Sequence, residues 1–228
     1  SYTTSTPGAQ VTFVAEILAR LPGLAKPQLK FMLAMFAAFF AFAGKANRTN
    51  LARHGAPSPS AQYRWAHKTF DFTTFNKQTL IAAGIDQHEL IAVMDESFIR
   101  KAGKKTHGLG YFFDACNRKA RRGLEISLVG LIDLTENTAY TLQVQQVSPN
   151  PDEGSRLDAA AAQYKAQREL ISGWTDTWVF DGAYAKKPFV DTVVEAGDTM
   201  VSRLRKDAAM KHLYTGEYSG RGLSLIHI

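Results

Sequence analysis

The chain has 228 residues, of which 45% are apolar and 21% charged, an ordinary globular composition that excludes a disordered or fibrous protein. At about 150 residues per domain there is room for one to two domains, and the net charge of +6 favours an anionic partner. The single cysteine, Cys116, excludes an internal disulfide framework and favours a reducing compartment, so we expect a cytoplasmic protein.

Two helices are predicted between residues 9 and 43. Val11, Val14 and Leu18 recur at helical spacing until a Leu-Pro-Gly sequence at 21–23 interrupts the pattern. The apolar run at 31–43, FMLAMFAAFFAFA, has 13 residues, whereas a helix needs about 20 to cross a bilayer. The run therefore predicts a core helix, and the polar N-terminal residues show no signal-peptide pattern. No membrane partner is expected.

Residues 44–70 predict two short helices joined by a tight turn. Thr49 is the expected cap of the first helix, and Ser58 or Ser60 that of the second. The second helix carries Arg64 between aromatic side chains. Such a pair is typical of a helix-turn-helix, which makes Arg64 a candidate DNA contact. Any small helical bundle with a basic face has the same pattern, so both interpretations stay open.

From residue 90 onward, strand patterns alternate with helical ones. Strands are predicted over 90–94, 124–132, 139–147, 178–180 and 199–204, and helices over 158–171 and 188–196. The strands at 124–132 and 139–147 form a predicted hairpin. This order predicts a mixed α/β layer that follows an all-α N-terminal region.

Two of the predicted strands end in an aspartate, Asp95 after Met94 and Asp181 after Phe180. Ligands of open α/β sheets bind at the carboxyl ends of parallel strands, so adjacent strands would bring these carboxylates together. Hard cations such as Mg²⁺ prefer oxygen ligands and often take only one or two carboxylates. An aspartate after a strand is also a common turn or cap residue, so spacing alone leaves the role of each open.

The segment between the first two predicted strands is strongly basic. Residues 100–122 hold eight lysines and arginines against the single acid Asp114, interleaved with aromatic residues at 111–113. A basic stretch beside a carboxylate site suits a phosphate backbone, and such binding weakens with salt. The alternative is a solvated hairpin face.

Three segments carry a resemblance to a known family: VMDESFIRKAGKKTHGLGYF (93–112), GLEISLVGLIDL (123–134) and WVFDGAYAKKPFVDTVVEAGDTMVSRLRKDAAMKHLYTG (178–216). They resemble the DDE transposases of bacterial insertion sequences, in the branch with an insertion before the final acidic residue. The resemblance covers roughly residues 28–221 and is most specific around Asp181. It implies a ribonuclease-H-like mixed sheet with flanking helices.

The resemblance also implies an activity and a set of site residues. Asp95 and Asp181 would be the first two metal-binding acids of a catalytic triad that holds two Mg²⁺ or Mn²⁺ ions for DNA strand cleavage and strand transfer. The partner would be double-stranded DNA of element ends and target, bound in the bacterial nucleoid, and a homodimer on DNA is in keeping with the family. Contacts to the DNA backbone would come from six basic residues: Lys101, Lys104, Lys105, Arg118, Arg203 and Arg205.

The expected domains are a helical, helix-turn-helix-like region at 1–86, an incomplete catalytic domain at 87–221 and a tail at 222–228 unlike the family. The family's third acid lies in a Tyr-x-x-Arg-x-x-x-Glu pattern; Tyr218 and Arg221 match its start, but position 225 is Leu. The third catalytic Glu is therefore expected beyond this chain, which would leave the fragment inactive. Two alternatives remain: a non-catalytic DNA-binding remnant or regulator, and a two-carboxylate sugar hydrolase, against which the basic stretch argues.

Overall fold

The computed structural model describes residues 7–103, 105–150, 154–204, 211–213 and 225–227. Its helices are α1 (Pro7–Arg20), α2 (Lys26–Ala41), α3 (Arg48–Arg53), α4 (Pro59–Trp65), α5 (Phe72–Ala82), α6 (Arg156–Leu170) and α7 (Lys187–Glu195). Its strands are β1 (Leu90–Arg100), β2 (Gly110–Asp114), β3 (Lys119–Asp133), β4 (Thr138–Val147), β5 (Thr177–Phe180), β6 (Thr199–Ser202), β7 (Lys211–Leu213) and β8 (Leu225–His227). The protein is thus mixed α/β, with its first five helices preceding the sheet.

The N-terminal helices pack around a small apolar core of their own. Ile17 and Leu18 of α1 are fully buried there and lie with Met32 of α2 and Phe75 of α5.

Of the two predicted caps of the second short helix, Ser58 is confirmed, because its hydroxyl accepts the backbone N–H of Ala61 at the start of α4.

The predicted cap Thr49 is wrong. The first of the two short helices, α3, begins earlier, because the Asn47 side chain accepts the N–H of Asn50 at 2.9 Å. Asparagine is at least as good an N-cap as threonine, which explains the shift of two residues.

The main sheet combines antiparallel and parallel pairing. β3 pairs antiparallel with β1 along one edge and with β2 and then β4 along the other. On the far side of β1, strands β5 and β6 add in parallel, and α7 makes the crossover between them. β7 and β8 form a separate two-stranded sheet.

The two faces of the main sheet differ. One face carries the larger apolar core, in which Met94, Val129 and Phe180 from three strands pack against Tyr164 of α6 and Phe189 of α7. Side chains alternate along each strand, so the neighbouring residues point to the opposite face. We call this second face the open face, because within the described residues it leaves large apolar side chains exposed, including Val144 and Val201.

The sequence patterns located most elements but misjudged some of their lengths. The predicted end of β1 at Asp95 is wrong, since the strand continues to Arg100 in unbroken register with β3. The predicted strand 199–204 is shorter and ends at Ser202. β2 and α5 were not predicted as elements; α5 is capped by Asp71, whose carboxylate accepts the N–H of Thr74 at 2.9 Å.

Among the helices that the structure describes, none combines the length and the apolar composition needed to cross a membrane.

Candidate functional site

The two predicted acidic residues lie side by side on the open face. β1 and β5 are parallel with Met94 opposite Phe180, so Asp95 and Asp181 are the next residues along adjacent chains. Adjacent strands are about 4.8 Å apart, and paired residues of parallel strands point to the same face. Both aspartates are exposed, whereas Met94 and Phe180 before them are buried on the opposite face. The register therefore brings the two carboxylates together at the point where β5 ends.

Each carboxylate keeps one oxygen available. Oδ1 of Asp95 accepts the N–H of Glu96 at 2.8 Å, and Oδ1 of Asp181 accepts the N–H of Gly182 at 2.6 Å. Neither Oδ2 atom accepts a hydrogen bond from another residue that the structure describes. These local bonds orient the carboxylates and leave one unused oxygen on each of two exposed aspartates, a donor set that suits a hard cation.

Arg203 extends the same row of residues. β6 pairs in parallel with β5 up to Ser202 opposite Phe180, so the following residue, Arg203, comes next to Asp181. The Ser202 hydroxyl donates to the carbonyl oxygen of Asp181 at 3.2 Å, which ties the two strand ends together. Arg203 is exposed. A basic residue thus follows the end of the strand next to the one that leads to Asp181.

A buried polar cluster lies behind the acidic pair, on the opposite face of the sheet. Arg156, at the start of α6, donates to Glu96 at 3.0 Å and also pairs with buried Glu125. Tyr184 lies beside Glu96 and Ser127; burial first, and then the charges of Glu96 and Asp95, raise the pKa of its hydroxyl. Glu96 follows Asp95 directly, so these contacts fix the backbone on which that aspartate is carried.

No third acid joins the pair within the described part of the chain. There, no group of three His, Cys, Asp or Glu side chains is arranged to hold a metal ion. Tyr218 and Arg221 of the partial family pattern lie outside the described residues, so the structure does not place them relative to Asp181.

β2 and the paired part of β3 form a hairpin, which we call the ribbon (Gly110–Gly123). Its turn, residues 115–118, carries Cys116 and Arg118, both exposed. The Asp114 carboxylate accepts the side-chain amide of Asn117 at 2.7 Å and pairs with Arg121. Burial would raise the pKa of Asp114, but the hydrogen bonds from Asn117 and the charge of Arg121 hold it below its usual range. The turn is therefore locked by its own side chains.

The other predicted DNA contacts fall in three places. Lys101 and Lys105 are exposed in the connection between β1 and β2. Arg64 is exposed on α4, in the helical region. Lys104 and Arg205 lie outside the described residues.

The region of α3 and α4 is held together by one glutamine. The buried Gln62 amide donates to the carbonyl oxygens of Arg48 at 3.0 Å and Pro57 at 2.7 Å, so the first helix and the turn are tied to the second. Trp65 stacks on Phe31 of α2 with ring centroids 5.2 Å apart. These contacts leave Arg64 on the solvent side of α4.

Sequence reasoning missed the buried polar cluster. Arg156 lies 60 residues from Glu96 and 31 from Glu125, and nothing local in the sequence links them. The one available signal was the charged pair Asp95-Glu96 directly after an apolar strand, since a charged residue on the core side of a strand needs a partner.

No family model matches the chain, and no curated protein matches it.

Proposed function

We propose that this chain carries the metal-binding core of a DDE-type DNA transposase, built on a ribonuclease-H-like sheet. The reaction would be metal-dependent DNA strand cleavage and strand transfer at the ends of an insertion sequence. The observation that carries the proposal is the parallel register that sets Asp95 beside Asp181 on the open face. The mixed sheet with helices on one face and the preceding helical region support it.

The donor set fits Mg²⁺ or Mn²⁺. Asp95 and Asp181 each offer an unused carboxylate oxygen, and these ions complete their shells with water and phosphate oxygens. Two such ions, when bound, would stabilise both the attacking and the leaving oxygen of a phosphodiester. The chain's own contribution is to hold the two carboxylates on adjacent strands. The cluster of Glu96, Arg156 and Glu125 keeps β1 in place behind them.

DNA is the substrate that the charges favour. Arg203 next to Asp181, Lys101 and Lys105 after β1, and Arg118 in the ribbon turn are all exposed. Exposed cations attract a polyanion to the chain, and Arg203 follows the strand next to the one that leads to Asp181, where a metal site would act on the phosphates. Arg64 on α4 would add a contact from the helical region.

The direct test is metal binding by the two aspartates. Mn²⁺ titration followed by electron paramagnetic resonance should detect a binding site in the wild type. The affinity of that site should fall at least about tenfold in Asp95→Asn and in Asp181→Asn, because even the loss of a residue that only hydrogen-bonds a metal ligand typically costs that much. Fe²⁺ with peroxide should cut the backbone next to residues 95 and 181.

Asp176→Asn is the matched control, because Asp176 is exposed and precedes β5 at its other end. That variant should keep both signals. Equal Mn²⁺ affinity in all three variants would contradict the proposal. With a metal site established, Mg²⁺-dependent nicking of supercoiled plasmid shows whether the two aspartates cleave DNA without the third Glu, which is expected beyond this chain.

A non-catalytic DNA-binding protein is the second candidate. It is favoured by Lys101, Lys105 and Arg64, which are exposed on segments other than the strand ends that carry Asp95 and Asp181, and which need no metal to bind DNA. Duplex binding in EDTA that persists in Asp95→Asn, together with no Mn²⁺ site in the wild type, would favour this candidate over the transposase.

A further inference from the structure

We propose that the ribbon binds unpaired DNA, with one base stacked between Tyr111 and Phe113. The inference rests on the proposed function for its substrate, DNA, and goes beyond it by assigning a separate site for a single strand. The features that carry it are the exposure of the two rings, their spacing, the charges around them and the face on which they lie.

The two rings are the most exposed of the large apolar side chains in the described residues. Tyr111 is 74% exposed and Phe113 63%, whereas Phe112 between them is buried. Phe112 anchors the ribbon from behind, with the guanidinium of Arg156 5.3 Å from its ring centroid. The contacts of Asp114 with Asn117 and Arg121 hold the turn of the ribbon in one conformation. Tyr111 and Phe113 are exposed because side chains alternate along β2, so these two residues point away from the face on which Phe112 is buried.

The spacing of Tyr111 and Phe113 along the strand matches a stacked base. Residues two apart on one face of a strand are about 6.7 Å apart, since the rise is about 3.3–3.4 Å per residue. That distance is twice the 3.4 Å repeat of bases along a DNA strand. Aromatic rings that stack on successive bases are a general device of single-strand binding and tolerate any base.

The charges around the rings favour a polyanion. Arg118, Lys119 and Arg122 are exposed, and Arg122 lies directly opposite Tyr111 in the β2–β3 register. None of the three forms an ion pair within the described part of the chain, because the acid of the ribbon, Asp114, is used by Arg121. Duplex bases are already stacked on one another, so a phosphate strand with unpaired bases is the ligand that satisfies both the cations and the rings.

The rings and the acidic pair lie on the same face of the sheet. Asp95 is opposite Leu128 of β3, and Tyr111 is opposite Arg122, six residues earlier on that strand. Residues an even number of positions apart on a regular strand point to the same face, so Asp95 and Tyr111 both lie on the open face. Six residues of strand separate them by roughly 20 Å. A single strand of about six nucleotides spans that distance at 3.4 Å per base. The ribbon is thus placed to hold a strand whose phosphates reach Asp95 and Asp181.

The test is fluorescence anisotropy with a labelled dT20 oligonucleotide and a 20-base-pair duplex, both in EDTA. Replacing Tyr111 and Phe113 together by alanine should weaken dT20 binding about 10- to 100-fold and change duplex binding less than threefold. The conservative variants Tyr111→Phe and Phe113→Tyr should keep wild-type affinity. Phe72→Ala is the matched control, because Phe72 is 56% exposed in the helical region and should not matter.

The cations give a second, independent readout. Replacing Arg118, Lys119 and Arg122 by alanine should lower the slope of log affinity against log salt by about 2 for dT20, at about 0.7 per phosphate neutralised on a single strand. Thermal melts of all variants show whether the fold is kept.

Unchanged dT20 affinity in the double alanine variant would overturn the inference, as would an equal loss on the duplex or no binding of dT20 by the wild type. Because these assays contain EDTA, they do not depend on the metal site. If the Mn²⁺ test on Asp95 and Asp181 fails, the oligonucleotide assays therefore still test the ribbon. If the oligonucleotide assays fail, the Mn²⁺ test still decides on the metal site.

Discussion

At the scale of single residues, Asp133 shows how one buried charge can hold a hairpin. Its carboxylate accepts the N–H groups of Thr135 at 2.9 Å and Glu136 at 3.1 Å, which shapes the turn between β3 and β4. It also meets Nδ1 of His88 at 2.7 Å, before β1. Burial would raise the pKa of Asp133, but the hydrogen bonds from His88 and from the turn lower it. The charged form is therefore the one that the fold requires.

Asp133→Ala should lower the melting temperature at pH 7 by several degrees, because two turn N–H groups and His88 lose their partner. A lowered native pKa stabilises the fold fully above the unfolded pKa of about 3.9, and that stabilisation is lost as pH falls through the native pKa. The gap between wild type and variant should therefore shrink below about pH 4. Circular dichroism melts from pH 7 to pH 3 check this. Glu136→Gln, an exposed change in the same turn, should melt like the wild type at every pH.

The sequence predicted the site role of some residues but not of others. Asp95 and Asp181 were recognisable because each follows a short apolar strand, a local pattern within five residues. Their being neighbours depends on β1 and β5 pairing in parallel across 86 residues, which was an expectation from fold class. Arg156 could not be predicted, since its partners come from β1 and β3 and only the folded chain brings them together.

At the scale of elements, Gly123 is the point where three strands meet. It pairs with Arg100 of β1 on one side and with Gly110 of β2 on the other. A Cβ at Gly123 would lie 2.5 Å from the carbonyl oxygen of Ile99 and 2.4 Å from the Phe98 ring. The backbone oxygen cannot move aside without breaking the β1–β3 ladder, so glycine is required there by close approach.

Gly123→Ala should therefore destabilise the protein by about 1–3 kcal/mol, the usual range for overpacking a well-packed site. Urea unfolding followed by tryptophan fluorescence measures the change. Gly8→Ala is the control, because a Cβ at Gly8 in α1 meets nothing within 4 Å and alanine favours helix. A Gly123→Ala variant as stable as Gly8→Ala would contradict the close approach.

Element boundaries were harder to predict than the elements. β1 was predicted to end at Asp95 because the residues after Met94 turn polar, yet the strand runs to Arg100. The part after Asp95 is held by β3, whose partner residues are 23 to 31 positions away, so the local composition of β1 does not indicate that pairing. The hairpin of β3 and β4 was predicted well, because its turn is short and both strands alternate.

At the scale of the whole molecule, α5 belongs to two cores. Phe75 packs in the helical core, where its ring stacks on Phe36 with centroids 4.9 Å apart. Five residues further on, Leu80 packs in the sheet core, and the Asn76 amide donates to the carbonyl oxygen of Leu142 in β4 at 2.9 Å. Helix α5 thus joins the helical region to the sheet, close to the predicted domain boundary at residue 86.

Because the helical core and the sheet core are distinct, a substitution in one core should lower the local stability of that core more than that of the other. Phe75→Ala removes a buried ring, a change that typically costs about 3–5 kcal/mol, and should speed amide hydrogen exchange in α1 and α2 while β3 stays protected. Val193→Ala, at a fully buried site of α7 in the sheet core, should speed amide hydrogen exchange in β3 while α1 and α2 stay protected. Uniform loss of protection in both variants would mean that the two cores unfold as one unit.

The locked turn of the ribbon has a practical consequence. Cys116 is the chain's only cysteine and is exposed there, two residues after Asp114. A thiol-reactive dye or nitroxide therefore attaches at one defined position with no engineered mutation. The same turn makes the label a spectroscopic reporter, and paramagnetic relaxation in the unmodified sequence would measure its distance to a Mn²⁺ ion bound at the proposed site of Asp95 and Asp181.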